Sequence, residues 1–272
     1  MEVFYRWVAS HHDGVYRSLY LSILVLIVAL AKYMEISIFF LIPPAIMALW
    51  LLERGIFQCS AQLLKKPYQI MMEQCDPFPF LREMQRQITY PVPDWSNTIT
   101  RINLSVALRH AGSWQDALDV LKAIPIEAPR AAVLSIKGLY YSNLADVLQL
   151  LQEDTGAEEA RQRFFALAAA DGRSTVAREF PDLIPLNEAE QLYRRGEYRA
   201  ALFKAGTVQP KNSLERVESA FFRGKCAAAM GDRDTAQREL NYVLQHGNKL
   251  AVIGLARALL AQKECDCVTE HF

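Results

Sequence analysis

The chain has no net charge, because 30 Lys and Arg balance 30 Asp and Glu. Without a charge surplus, and with no basic stripe interleaved with aromatics, nothing in it is built to draw in nucleic acid. It is also poor in cysteine. Cys59, Cys75, Cys226, Cys265 and Cys267 form an odd, irregularly spaced set, which implies no disulfide framework and favours a reducing compartment. A Gly-rich phosphate loop, a nucleophile elbow and a His-Glu-x-x-His helix are all missing, and with them the commonest signatures of catalysis. Cys265-Asp266-Cys267 with His271 offers too few ligands at the wrong spacing for structural zinc. His11-His12 beside Asp13 reads as a polar patch. The expectation is a non-enzyme with no catalytic residues, no cofactor, no metal and no small-molecule substrate.

What the chain does have is two uncharged apolar runs, Leu19–Ala31 and Ile36–Leu52, separated only by Lys32-Tyr33-Met34-Glu35. A spanning helix needs about 20 apolar residues. The first run approaches that length if it extends over Val15–Met34, with Arg17 and Lys32 snorkelling outward, and the second is completed by Glu35 and Glu53-Arg54. A transmembrane helical hairpin over residues 15–54 is therefore expected. Pro43-Pro44 lies mid-run in the second segment and leaves two versions open, a kinked spanning helix or a re-entrant wedge. Ala29-Leu30-Ala31 matches a small-x-small cleavage site, but the leader of 18 residues carries His11, His12 and Asp13 and a second apolar run follows at once, which argues against a signal peptide. Arg6, Arg17, Arg54, Lys65 and Lys66 flank the hairpin while its turn carries only Lys32. The positive-inside rule then makes this a multi-pass membrane protein with cytoplasmic N- and C-termini, residues 1–14 forming the N-terminal segment.

Residues 55–97 read as a helical connector. Ile56, Leu63, Leu64, Ile70 and Met71 keep helical spacing, with a break expected at Lys66-Pro67. Asp76 then caps a new helix with Pro77 at its first position, and Tyr90-Pro91-Val92-Pro93 ends it. The segment serves either as an adaptor or as the first layer of the domain that follows.

From residue 98 to 272 the chain repeats itself. A small residue is followed by apolar residues four and seven positions later in Ala117/Leu121/Ile124, Ala160/Phe164/Leu167, Ala201/Ala205/Val208 and Ala236/Leu240/Val243. Gly112, Gly196 and Gly231 each precede the alanine by five. Glycine closes one helix in a left-handed conformation, a short turn starts the antiparallel partner, and the alanine lets the two helices cross closely. This pattern resembles the tetratricopeptide repeat family over about residues 98–262, where each unit is a helix-turn-helix of about 34 residues. In the first unit Leu104, Gly112, Ala117 and Pro129 match the family's positions, and in the last unit Gly224, Gly231 and Ala236 do so. The alanines lie 43, 41 and 35 residues apart, so the middle units are stretched, and the family's tryptophan is replaced by Arg101 and Ala220. Arg173–Pro185 adds a short helix or loop, and Leu250–Gln262 supplies a final helix. The fold class expected is all-α, a transmembrane hairpin followed by an α-solenoid of antiparallel helix pairs.

The resemblance implies that the first helix of each unit lines a concave groove for a partner peptide. Residue by residue it points to Ile99, Ile102, Val106 and Arg109, then Leu186, Glu190, Tyr193 and Arg194, then Glu218, Phe221 and Lys225. Aliphatic and mixed-charge faces do not suit a carboxylate clamp. The groove candidates are Arg109, Glu190, Tyr193, Arg194, Glu218, Phe221 and Lys225, taking a helix or extended segment by apolar contact. Alternatively these charges are an ordinary solvated face. The function implied is a membrane-anchored scaffold for protein–protein interaction, with an accessory subunit of a membrane complex, contacting it through the hairpin, as the alternative.

Overall fold

The computed structural model describes residues 12–33, 38–40, 42–89, 94–128, 132–170 and 175–269. The fold is all-α, 81% helical and without strands among the described residues. The first helix, α1 (His12–Tyr33), is followed by a single 3-10 turn at Ile38–Phe40 and by the long α2 (Ile42–Gln74).

The hairpin differs from expectation. The apolar run of α1 is only Leu19–Ala31, which at 1.5 Å per residue spans about 20 Å against about 30 Å of hydrocarbon. The second run is not one helix. It is split by the 3-10 turn, and α2 begins at Ile42, eleven residues before Glu53. Pro43-Pro44 sits in the first turn of α2, where the missing donors have no partner to lose. No helix among the described residues is long and apolar enough to cross a membrane, so the two-span hairpin over 15–54 and the multi-pass address are corrected. The apolar character is real nonetheless. Leu21, Val25, Leu26 and Val28 of α1 are more than half exposed, as are Phe39, Phe40, Ile46, Met47, Trp50 and Leu51. Only Ile23 and Ile27, four residues apart, are half-buried along the middle of α1, which touches α2.

The break expected at Lys66-Pro67 does not occur, since α2 runs through Pro67 to Gln74. Met71 of its last turn and Cys75 just beyond its end enter the same core as Phe80, Leu81 and Met84 of α3 (Phe78–Gln87). The expected cap shifts by one residue: Pro77 is the N-cap of α3 and no side chain caps it, while Asp76, one residue earlier, accepts from the Phe78 backbone N–H at 3.1 Å. The stop at Tyr90-Pro93 lies outside the described residues.

Four helix pairs follow: α4 (Asp94–Ala111) with α5 (Trp114–Lys122), α6 (Leu134–Leu150) with α7 (Asp154–Ala168), α9 (Leu183–Arg194) with α10 (Tyr198–Ala205), and α11 (Ser213–Ala229) with α12 (Arg233–His246). The short α8 (Val176–Glu179) lies between the second and third pairs, and α13 (Val252–Thr269) closes the chain. Every pair turns in the same way. The backbone N–H of Ser113, Glu153, Glu197 and Asp232 reaches back five residues to the carbonyls of Leu108, Leu148, Leu192 and Ala227, at 2.9–3.0 Å. This is the bond of a left-handed helix stop. Gly112, Gly196 and Gly231 adopt φ of +89°, +80° and +78° as expected.

The second pair corrects the repeat register. Its left-handed residue is Gln152, at φ +63°, and five residues on stands Ala157, fully buried. Ala157, not Ala160, is therefore the counterpart of Ala117, Ala201 and Ala236. Four positions later the other pairs place Leu121, Ala205 and Leu240, whereas here stands Arg161. A charged side chain at an apolar position displaced the sequence pattern by three residues.

The pairs close into a ring. The loop between α12 and α13 docks on the opposite end of the chain, where Lys249 N–H donates to the Cys75 carbonyl (3.2 Å) and Ala251 N–H to that of His110 (2.8 Å). Asn248 Nδ2 reaches the Gln74 carbonyl at 2.7 Å and Lys249 Nζ pairs with Asp76 at 2.6 Å. Glycine suits position 112 at this seam, because its φ of +89° is one that L side chains rarely adopt and a Cβ there would press on the Ala251 Cβ at 3.2 Å. With α2 also packed on α11, the connector becomes part of the core.

Candidate functional site: a central cavity with a ring of polar contacts

The first helices of the four pairs, α4, α6, α9 and α11, surround a cavity of about 470 Å³. Its wall is largely apolar, with Val106, Leu139, Leu183, Leu186, Phe221 and Phe222 among the lining side chains. Across it the four helices join hands through polar groups. Arg109 of α4 pairs with Asp146 of α6 at 2.5 Å. Gln149 of α6 donates to Glu190 of α9 at 3.1 Å. Glu190 receives Lys225 of α11 on both oxygens, at 2.7 and 2.8 Å. Glu218 of α11 returns to α4, 3.6 Å from Arg109 and 3.7 Å from the His110 ring.

Local sequence explains why these groups meet. Ser142, Asp146 and Gln149 are spaced four and three apart, so they share one face of α6. That face carries polar groups into a largely apolar segment, LYYSNLADVLQL. Ser142 Oγ accepts from Asn187 Nδ2 at 2.8 Å, Asp146 takes Arg109, and Gln149 takes Glu190. Lys225 is held further by the faces of Tyr193 and Phe222, at 4.4 and 4.7 Å, a cation–π arrangement.

Burial and neighbours set the charges. Burial pushes the Asp146 carboxyl up despite Arg109, with Glu190 adding to the rise. Burial likewise raises Glu218, and Asp146 and Glu215 add to it while Arg109 opposes. Burial acts upward on Glu190 too, but the charge and hydrogen bonds of Lys225, with help from Gln149 and Arg161, outweigh it and hold the carboxyl below its ordinary value. Burial, then the neighbouring Arg109 cation, drives the His110 pKa well below its ordinary value, so this ring is neutral at pH 7. Arg161 is fully buried and donates through Nη2 to Gln149 at 2.8 Å, while its Nε and Nη1 find no partner.

Of the residues the sequence singled out, Arg109, Glu190, Glu218, Phe221 and Lys225 all line the cavity, and so do Val106 and Leu186. Tyr193 stands behind Lys225 and packs on Phe222 and Tyr198. Arg194 points elsewhere and pairs with Asp154 at 2.6 Å. Ile102 is buried in the core. Sequence reasoning missed His110, Asp146, Gln149, Arg161 and Asn187; the polar stripe of α6 was the signal available for Asp146 and Gln149. Among the described residues no group of three or more His, Cys, Asp or Glu is arranged to hold a metal ion. The side chains of Cys265 and Cys267, and all of His11 and His271, lie outside the described residues.

Comparison of the chain with protein-family models, with curated proteins and with solved structures finds no match. The cavity must be interpreted from its own chemistry.

Proposed function

We propose that this chain is a protein-interaction module of the tetratricopeptide kind, whose central cavity receives a short segment of a partner protein. The observation that carries this reading is the cavity itself, about 470 Å³, within the range in which ligands are usually enclosed, and predominantly apolar with a few converging polar groups. The four equivalent helix stops and the small residue five positions past each of them support the family resemblance, because that geometry places the first helix of each pair inward. The polar groups of the ring are mostly committed to one another, as in a scaffold that holds its shape. No nucleophile–base pair stands among them, so binding rather than turnover is the chemistry offered. The open concave groove expected from the repeats is here narrowed to a ring, which suits a few residues of partner better than a long helix.

The test is crosslinking pull-down with the wild type, with Phe221→Ala/Tyr193→Ala, and with Leu186→Trp, which fills the cavity mouth from a position already 41% exposed. Partner capture is expected to be lost in both variants. Capture unchanged in both retires the cavity as the binding site.

The exposed apolar surface of α1 and the start of α2 favours a second reading, an accessory subunit whose hairpin is covered by the apolar surface of a larger protein complex. Exchanging residues 12–54 for an unrelated helical hairpin separates the two. Activity retained supports the cavity, and activity lost with partner capture through the cavity intact supports the hairpin.

A further inference from the structure

We infer that the partner segment reaches the cavity through a basic side chain, whose ammonium or guanidinium group sits at Glu218 while apolar neighbours contact the wall. This rests on the cavity being a binding site for a protein segment. Charge balance is uneven around the ring. At the Glu190 end, one carboxylate faces both Lys225 and the buried Arg161. At the Glu218 end, Arg109 is the cation that acts on Glu218, against the added negative charge of Asp146 and Glu215, while Arg161 and Lys225 act on Asp146 as lesser influences than Arg109. Arg109 is held close by Asp146, at 2.5 Å, and only loosely by Glu218, at 3.6 Å. His110, the other basic group facing Glu218, is buried and neutral. Asp182 on the rim takes Lys211 Nζ at 2.5 Å, and Glu215 is occupied by the Lys211 backbone N–H at 2.6 Å and by Asn212 at 2.8 Å. Lys211 is thus directed away from Glu218, whose ion-pair partner among the described residues, Arg109 at 3.6 Å, leaves it accepting capacity.

A second observation points the same way. Asn187 lines the cavity, is only 4% exposed, and gives its amide nitrogen to Ser142 Oγ and to the Leu183 carbonyl. Its Oδ1 is buried without a partner, one turn of α9 before Glu190. A buried acceptor left bare is costly, and it calls for a donor. The cavity wall therefore offers carboxylates and an amide oxygen to an incoming N–H-rich group. Among the described residues, Arg109 Nε is the one buried donor of the wall left unpaired, and a peptide carbonyl beside the basic residue meets it. A bare inorganic cation satisfies the acceptors but leaves that donor idle, which favours a basic residue within a peptide. Phe221, Leu183 and Leu186 then bury the flanking apolar side chains.

The experiment is selection of a random 12-residue phage-displayed peptide library on the immobilised full-length chain, with counter-selection on the Leu186→Trp variant. Cavity-dependent clones enriched in Arg or Lys are expected. Synthetic peptides from these clones should bind about tenfold more weakly to Glu218→Gln, and replacing the clone's basic residue by Gln should cause a similar loss. Far-UV circular dichroism and melting temperature report that Glu218→Gln remains folded, and Asn187→Leu gives an independent second variant. Clones that depend on the cavity but carry no basic enrichment, or that bind Glu218→Gln as tightly as wild type, overturn the inference and leave the cavity reading standing. Clones insensitive to Leu186→Trp, or an empty selection, overturn both.

Discussion

Removing the Lys225–Glu190 pair tests whether the polar ring ties the four inner helices together. Lys225 Nζ touches both Glu190 oxygens at 2.7 and 2.8 Å, with side-chain exposures of 12% and 23%. At an effective dielectric of about 20, unit charges this close attract by about 6 kcal/mol, most of which offsets the desolvation of the two groups. Lys225→Met strips Glu190 of its cation and leaves it one direct donor, Gln149 Nε2 at 3.1 Å, together with the more distant field of Arg161. The expected cost is about 2–3 kcal/mol, below the figure for a fully dry pair because both groups retain some solvent. Glu190→Gln strands the ammonium between Tyr193 and Phe222 and costs about 2 kcal/mol. The double variant should lie within about 1 kcal/mol of wild type, because methionine fills the slot between the rings and the introduced amide oxygen still accepts from Gln149. In a chain of this size each single variant lowers the melting temperature by about 5 °C. A carboxyl held below its ordinary value contributes stability above that value and loses it as pH falls. The coupling should therefore be complete at pH 7 and fade once pH drops below the ordinary glutamate value of 4.5. The assay is thermal unfolding of all four proteins at pH 7 and pH 3.5. Single-variant losses that simply add at pH 7 would refute the claim that these helices are tied by this pair.

His110 provides a second pH test, of the same sign but in a higher pH window. Its pKa is lowered by burial, so the unfolded chain takes up the proton first as pH falls below the ordinary 6.5, and stability should decline from there downward. His110→Gln should make the melting temperature fall less steeply as pH drops below 6.5, while the raised carboxyls of Asp146 and Glu218 act in the reverse direction in wild type and variant alike; an unchanged slope in the variant counts against the assignment. Gly224 sits where α11 crosses α12, and a Cβ there would lie 2.8 Å from Cγ and Cδ2 of the buried Leu240. Gly224→Ala is expected to destabilise by about 1–3 kcal/mol, while Gly55→Ala, in α2 with nothing within 4 Å, should stabilise by about 0.5–1 kcal/mol; urea midpoints compare the two, and equal effects would contradict the close crossing. The apolar surface of α1 and the α2 start predicts self-association, so light scattering coupled to size exclusion should give a species larger than 30.9 kDa in plain buffer and a single protein copy after mild nonionic detergent is added. A monomer without detergent would mean that this surface is covered within the chain.

The amino-acid order alone determined the all-α class, the helix pairs and their turns. These are local consequences. A glycine at a left-handed position and an alanine five residues on act within one turn of each other, and Gly112/Ala117, Gly196/Ala201 and Gly231/Ala236 were legible for that reason. The register of the second pair was not, because Gln152 takes the left-handed turn that glycine takes elsewhere and Arg161 stands at an apolar position. Its burial is made tolerable by Gln149 and by carboxylates that the linear sequence does not place beside it. The spanning hairpin was misjudged because composition counts apolar residues without showing where a helix starts, and the 3-10 turn at Ile38–Phe40 divides the second run. Tertiary structure alone decided the closure. Arg109 and Glu218 are 109 residues apart, and their approach depends on the Asn248–Ala251 seam docking on Gln74, Cys75 and His110. That contact depends on how four successive helix pairs accumulate their packing angles, and no local pattern encodes such a sum. Closure turns an open row of inward helices into a cavity with a charged end and an apolar wall.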